Sequence, residues 1–110
     1  MTLNEYQEAA HATSKSATIG GDILLYPVLG LAGEVGELLN KVKKNYRDSG
    51  GIYTHADRNA LIAELGDILW YVSEVATQLS VELDRVATDN VLKLADRANR
   101  GVIGGNGDER

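Results

Sequence analysis

This sequence predicts an all-α fold of four helices, and three observations carry that prediction. The stretch at residues 31–42, LAGEVGELLNKV, returns at residues 61–72 as LIAELGDILWYV, in the same helical phase. Start signals of the capping-box type stand at Thr2 with Glu5 and at Thr54 with Asp57, where a hydroxyl and an acid three residues apart satisfy each other's backbone N–H. Gly- and Ser-rich breaks separate the apolar segments, as in SKSATIGGD, DSGG and GVIGGNGDER, and such clusters read as loops.

The first helix is expected from Leu3 to about Thr13, with a weak apolar stripe of Leu3, Tyr6 and Ala10. His11 is a lone histidine with a structural or surface role. Residues 14–22 read as a loop. The second helix is expected over residues 26–46; Pro27 suits its first turn, where a missing N–H costs nothing. Leu31, Val35, Leu38 and Val42 form its stripe, with Glu34 at the edge and Glu37 further round beside Lys41. Three glycines, Gly30, Gly33 and Gly36, are a liability of roughly 2–3 kcal/mol in a helix interior. The close approach of a neighbouring helix or a ligand would offset it. Lys41, Lys43, Lys44 and Arg47 close the helix, where cations suit the dipole.

The third helix is expected over residues 55–79, with Leu61, Leu65, Ile68 and Val72 as its stripe, Glu64 at the edge and Asp67 beyond. His55 reads as a surface residue. Tyr71 stands where the second helix has Lys41. Ser80 is the expected cap of a fourth helix over residues 81–99, striped by Leu83, Ala87, Val91 and Leu94. Asn90 falls in that stripe, with Lys93 and Arg97 close by; a buried Asn needs hydrogen bonds and a buried cation needs a partner. Residues 101–110 form a Gly-rich tail, expected to be mobile unless a partner or ligand orders it.

At 110 residues the chain is one domain by length. Phe and Cys are absent, so the core is aliphatic and neither disulfides nor thiolate chemistry is available. No basic-then-apolar leader and no long apolar run is present, and a cytoplasmic protein is expected. The net charge of −5 argues against nucleic-acid binding, which needs a basic face. It leaves room for a phosphate ligand that arrives with its metal.

A single pair of acids three residues apart is usually a solvated face. Here the pair recurs in phase, as Glu34 with Glu37 and Glu64 with Asp67, and both copies flank the apolar stripe. Four converging carboxylates repel one another and take up protons unless cations hold them ionised. Oxygen ligands without His or Cys suit Mg²⁺, with Mn²⁺ as a substitute. A di-iron bundle would need Glu-x-x-His on two helices, and the fourth residue here is acidic in both copies. Mg²⁺ held by carboxylates commonly shares substrate phosphates, and Lys41, Lys93 and Arg97 are the types that neutralise the rest of a polyphosphate. The reading is metal-dependent hydrolysis of a phosphoanhydride. A catalytically silent helical dimerisation module, with the acidic cluster kept for metal-dependent stability, is the alternative. Bases could stack on few aromatics, chiefly Trp70 and Tyr71, with Tyr26, Tyr46 and Tyr53 in reserve.

At these residues the sequence resembles the MazG-type all-α nucleotide pyrophosphohydrolases. The resemblance rests on Glu34-x-x-Glu37, a spacer, Glu64-x-x-Asp67, and a downstream pattern of Asn90, Lys93, Leu94 and Arg97; EYQEAA and GEVGELLNKVKK add to it. It implies a four-helix MazG-type bundle over residues 1–100, completed by homo-oligomerisation as a dimer or tetramer. Leu39, Leu69 and Val75, which lie off the main stripes, fit that expectation. It also implies cleavage of a nucleoside triphosphate between the α and β phosphates, with Glu34, Glu37, Glu64 and Asp67 holding Mg²⁺. Glu34 is the favoured base for the attacking water. Asn90, Lys93 and Arg97 are the expected contacts to phosphate or sugar, with Lys41, Lys44 and Tyr71 as second choices.

Overall fold

Thr2 and Thr54 start their helices as the sequence predicts. The Glu5 N–H donates to Thr2 Oγ1 at 3.0 Å, and Thr2 N–H donates to Glu5 Oε2 at 2.7 Å. The same reciprocal pair joins Thr54 and Asp57 at 3.1 and 2.9 Å. Each box satisfies two otherwise orphaned donors and contributes about 1 kcal/mol. The structure, a computed structural model, describes residues 1–15 and 18–110. It holds α1 (Leu3–His11), α2 (Leu25–Ser49), α3 (His55–Gln78) and α4 (Leu83–Arg100). Among the described residues there is no strand, only a single bridge between Ile19 and Asp22. The expected loop at residues 14–22 contains Ser16 and Ala17, which lie outside the described residues.

Helix α2 is longer than predicted at both ends, for local reasons. Asp22 Oδ1 accepts the N–H groups of Leu24 and Leu25 at 2.8 and 3.3 Å, so the helix opens before Pro27. At the other end Asp48 and Ser49 remain helical, and the chain turns only at Gly50 (φ 62°) and Gly51 (φ 86°). That left-handed conformation is one that glycine adopts without strain. Buried Asn45 fastens the turn by donating to the Ile52 carbonyl at 2.9 Å.

The start of α4 differs from expectation. Ser80 does not cap it; Ser80 sits at φ 57° in the turn, and the cap position is Glu82, which makes no capping bond of its own. The capping groups come from α1 instead. Gln7 Oε1 accepts the Leu83 N–H at 2.8 Å, and Asn4 Oδ1 accepts the Asp84 N–H at 3.0 Å. Gln7 Nε2 also donates to the Val81 carbonyl at 2.9 Å and to Thr77 Oγ1 at 3.2 Å. One side chain thus ties α1, α3 and α4 together. Gln7→Ala would strand these partners, and we expect it to cost about 1–3 kcal/mol, read as a lowered thermal midpoint; an unchanged midpoint would show that water replaces the tie.

Helix α3 is the hub. It packs against α2, α1 and α4, whereas α4 touches α1 and α3 but, among the described residues, not α2. The radius of gyration is 16.9 Å, against about 13 Å for a compact domain of this length. Ala10, Pro27, Ala76 and Leu83 are buried. The outer stripe residues are not, since Val35, Leu65, Val91 and Leu94 are exposed. The glycines also resolve unevenly. A Cβ at Gly30 would collide with the ring of Tyr71, so this glycine admits a close approach, while Gly33 and Gly36 meet nothing within 4 Å. The expected compensation is therefore local to Gly30 within this chain.

Candidate metal centre and its groove

Helices α2 and α3 run antiparallel: Lys41 meets Glu64, and Gly30 meets Tyr71. The matching phases of the two acidic segments therefore bring carboxylates together across the groove. Glu34, Glu64 and Asp67 each place an oxygen within 4.8 Å of the other two. Oxygens opposite each other around Mg²⁺ stand about 4.2 Å apart, twice the bond length, so small side-chain rotations close the set on an ion. The donors are all carboxylate, and with neither His nor Cys in the set the site fits a hard divalent cation.

The predicted fourth ligand, Glu37, is exposed and lies outside this trio. Its charge still reaches Glu34. Loss of solvent, then the charges of Asp67 and Glu64, a hydrogen bond with Glu64 and the charge of Glu37 hold the Glu34 carboxyl above the usual range. Only one cation touches the trio among the described residues: Lys41 Nζ stands 3.2 Å from Glu64 Oε1. The sequence places Lys41 on the carboxylate face of its own helix; its partner is the acid of the facing helix. Beyond it, Lys41 and Lys44 line a cavity of about 320 Å³ with Asn45, Asp48, Tyr53 and Leu61.

In the other direction along the groove the walls become aromatic. Glu34 and Asp67 share a cleft with Trp70 and Tyr71, whose rings meet edge to face at 4.9 Å. Trp70 Nε1 donates to Thr13 Oγ1 at 2.9 Å, which seats the indole against the end of α1. Tyr71 lies over Gly30, and its phenol is held above the usual range by burial and by the charges of Tyr26, Glu34 and Asp67. Tyr6 of α1 is a neighbour that sequence reading does not assign to the site; burial and the Asp67 charge push its phenol up.

The α4 residues sit apart from the trio. Asn90, placed in the apolar stripe by the sequence, is exposed. Arg97 is buried at 4% exposure and paired, as a buried cation requires, but its partner is the tail. Asp108 accepts from Lys93 Nζ at 2.9 Å and Arg97 Nη2 at 3.1 Å, and the Asp108 carbonyl accepts from the same Arg97 nitrogen at 2.8 Å. These two cations hold the Asp108 carboxyl below the usual range. The tail is thus folded onto α4. Arg100 donates to the Arg110 carbonyl and Arg110 to the carbonyls of Val102 and Ile103, and these bonds hold the return.

The chain matches the MazG nucleotide pyrophosphohydrolase domain over residues 26–102, a span that includes the carboxylate trio, Glu37 and the α4 residues. A protein of Mycobacterium phage L5, described as "Gene 37 protein", is 46% identical over the whole of both chains. No solved structure matches the chain. No helix among the described residues is long and apolar enough to cross a membrane.

Proposed function

Because the chain belongs to the MazG nucleotide pyrophosphohydrolase family, we propose that it hydrolyses nucleoside triphosphates to the monophosphate and diphosphate with Mg²⁺, in control or sanitation of the nucleotide pool. The observation that carries this reading is the convergence of Glu34, Glu64 and Asp67 across the α2–α3 groove. Those three would hold Mg²⁺, with Glu37 one turn further along α2. The bound ion would acidify a water and neutralise charge on the phosphates. Glu34, half-buried in the groove, is the trio member we assign to take the proton of the attacking water. Lys41 and Lys44 would draw the β and γ phosphates toward their end of the groove. The water then attacks the α-phosphorus, the α–β anhydride P–O bond breaks, and diphosphate leaves on the cationic side.

Asn90, Lys93 and Arg97 enter this scheme through a second copy. Among the described residues of one chain α4 does not touch α2, and apolar residues on α3 and α4 are exposed, Leu65 at 53% and Val91 at 62%. A dimer or tetramer would cover them and would carry α4 of one subunit toward the groove of another. Asp108 competes with phosphate for Lys93 and Arg97 in that arrangement. Asp108→Asn is therefore expected to lower KM for the triphosphate about threefold to tenfold with little change in kcat, measured by diphosphate release at fixed ionic strength; a rise in KM would make Asp108 a support for those cations. The reading as a whole is tested by incubating the protein with a panel of (d)NTPs and Mg²⁺ or Mn²⁺. Monophosphate plus diphosphate is the expected product pair. Folded protein that releases neither from any substrate would leave a metal-stabilised helical module.

A further inference from the structure

Two turns beyond Asp67 on the same face of α3, roughly 10 Å along its axis, stands Glu74. Its side chain is 3% exposed and lies in an apolar tract of the helix. No Lys or Arg is paired with it among the described residues. It is held instead by His11 Nδ1 at 3.1 Å to Oε2, by Ser14 Oγ at 3.0 Å to Oε1, and by Gln78 Nε2 at 3.2 Å to Oε1. His11 makes a second, longer approach to Oε1 at 3.2 Å. Among the described residues Oε2 thus has one partner, His11, and a carboxylate oxygen has two acceptor positions.

Glu74 borders a cavity of about 230 Å³ whose walls include Tyr26, Pro27, Trp70, Tyr71 and Ser14. Trp70 and Tyr71 are also walls of the cleft at Glu34 and Asp67. The cavity is therefore an aromatic extension of the metal groove, on the side away from Lys41 and Lys44. Thr13 and Lys15 line it as well; aromatic walls with a few polar groups are the usual form of a site that reads a flat heterocycle.

We propose that Glu74 is a specificity residue, accepting a hydrogen bond from the base of the nucleotide and selecting bases that carry an exocyclic amino group. This rests on the pyrophosphohydrolase reading above. With the α-phosphate at Glu34 and Asp67, the groove has one free direction for the nucleoside, toward Trp70 and Tyr71, and Glu74 closes it. A carboxylate accepts hydrogen bonds and donates none while ionised. A 4-amino pyrimidine or 6-amino purine can satisfy it, whereas a keto oxygen at the same place faces it lone pair to lone pair. Sites built on a buried hydrogen-bonding group discriminate strongly against ligands that leave it unpaired. The role of His11 follows as well. Its half-exposed side chain holds Oε2 from the end of α1, and the second acceptor position of that oxygen is the one offered to the base.

The test is a comparison of kcat/KM for dCTP against dUTP and for dATP against dITP, in wild type and Glu74→Gln. Wild type is expected to favour the amino member of each pair by tenfold or more. The Gln amide can donate as well as accept, so the ratio should collapse toward one or invert in the variant. Binding of dCMP and dUMP to wild type, followed by Trp70 fluorescence, measures the same preference without turnover and serves if the variant misfolds; equal affinities would overturn the proposal. Wild-type turnover with a ratio near one, or a ratio untouched in folded Glu74→Gln, removes Glu74 from base recognition and leaves the enzyme reading standing. Absence of turnover with every triphosphate instead sinks the enzyme reading itself.

Discussion

Asp67→Asn is expected to reduce Mg²⁺-dependent diphosphate release about a thousandfold, or about 4 kcal/mol of transition-state stabilisation. Asp67 is the trio member exposed to the groove, and it is the acid whose charge is felt by Glu34, Tyr6 and Tyr71 together. Asn keeps the size of the side chain and one acceptor oxygen but removes the charge, so the fold is retained while the proposed ion would lose one anionic ligand. The apo protein should even gain slightly in stability, because like charges around Glu34 are relieved. Circular dichroism separates the two effects: unchanged helicity with lost turnover is the expected pair. Glu37→Gln supplies the contrast. Glu37 lies outside the trio, and its removal is expected to cost about tenfold, through the weakened field on the ion. Equal losses in the two variants would put Glu37 in the metal shell on the same footing as Asp67, as the acidic repeat alone suggests.

That contrast marks where local sequence information ends. The acidic repeat was readable because helical phase is local: residues three apart share a surface whatever packs on it. The two capping boxes were readable for the same reason, each being complete within four residues. Which three of four carboxylates converge depends on how α2 and α3 are rotated about their axes, and no periodicity carries that rotation. The start of α4 failed in the same way. Ser80 has the residue type of a cap, yet the capping groups are Gln7 and Asn4, over seventy residues away. Glu74 was passed over because an acid within an apolar helical tract gives no motif. Its one local signal is its place seven residues after Asp67, on the same face. The tail's place was equally out of reach: Asp108 meets the buried Arg97, a residue the sequence identified as needing a partner but for which it named none.

If the trio holds Mg²⁺ as proposed, Glu34 makes the ion visible in stability as well as in activity. Its carboxyl is held above the usual range, so the folded protein binds a proton there more tightly than the unfolded chain does. By linkage that proton stabilises the fold at low pH, and the contribution is lost as pH rises through the unfolded and then the folded value. A divalent cation held by the trio would reverse the sign, because its ligands must be ionised. The added stability from Mg²⁺ should therefore be small near pH 4.5 and full above neutrality. At a hundredfold excess over its dissociation constant the ion contributes about 2.7 kcal/mol, which corresponds to a rise of about 10 °C or more in the thermal midpoint of a domain this size. Thermal scans with and without Mg²⁺ at pH 4.5, 6 and 8 check the pattern. Glu34→Gln should flatten the pH dependence of the apo midpoint and shrink the Mg²⁺ shift together, since one carboxyl is the source of both. A Mg²⁺ shift that persists undiminished at pH 4.5, or in Glu34→Gln, would locate the ion away from the α2–α3 groove.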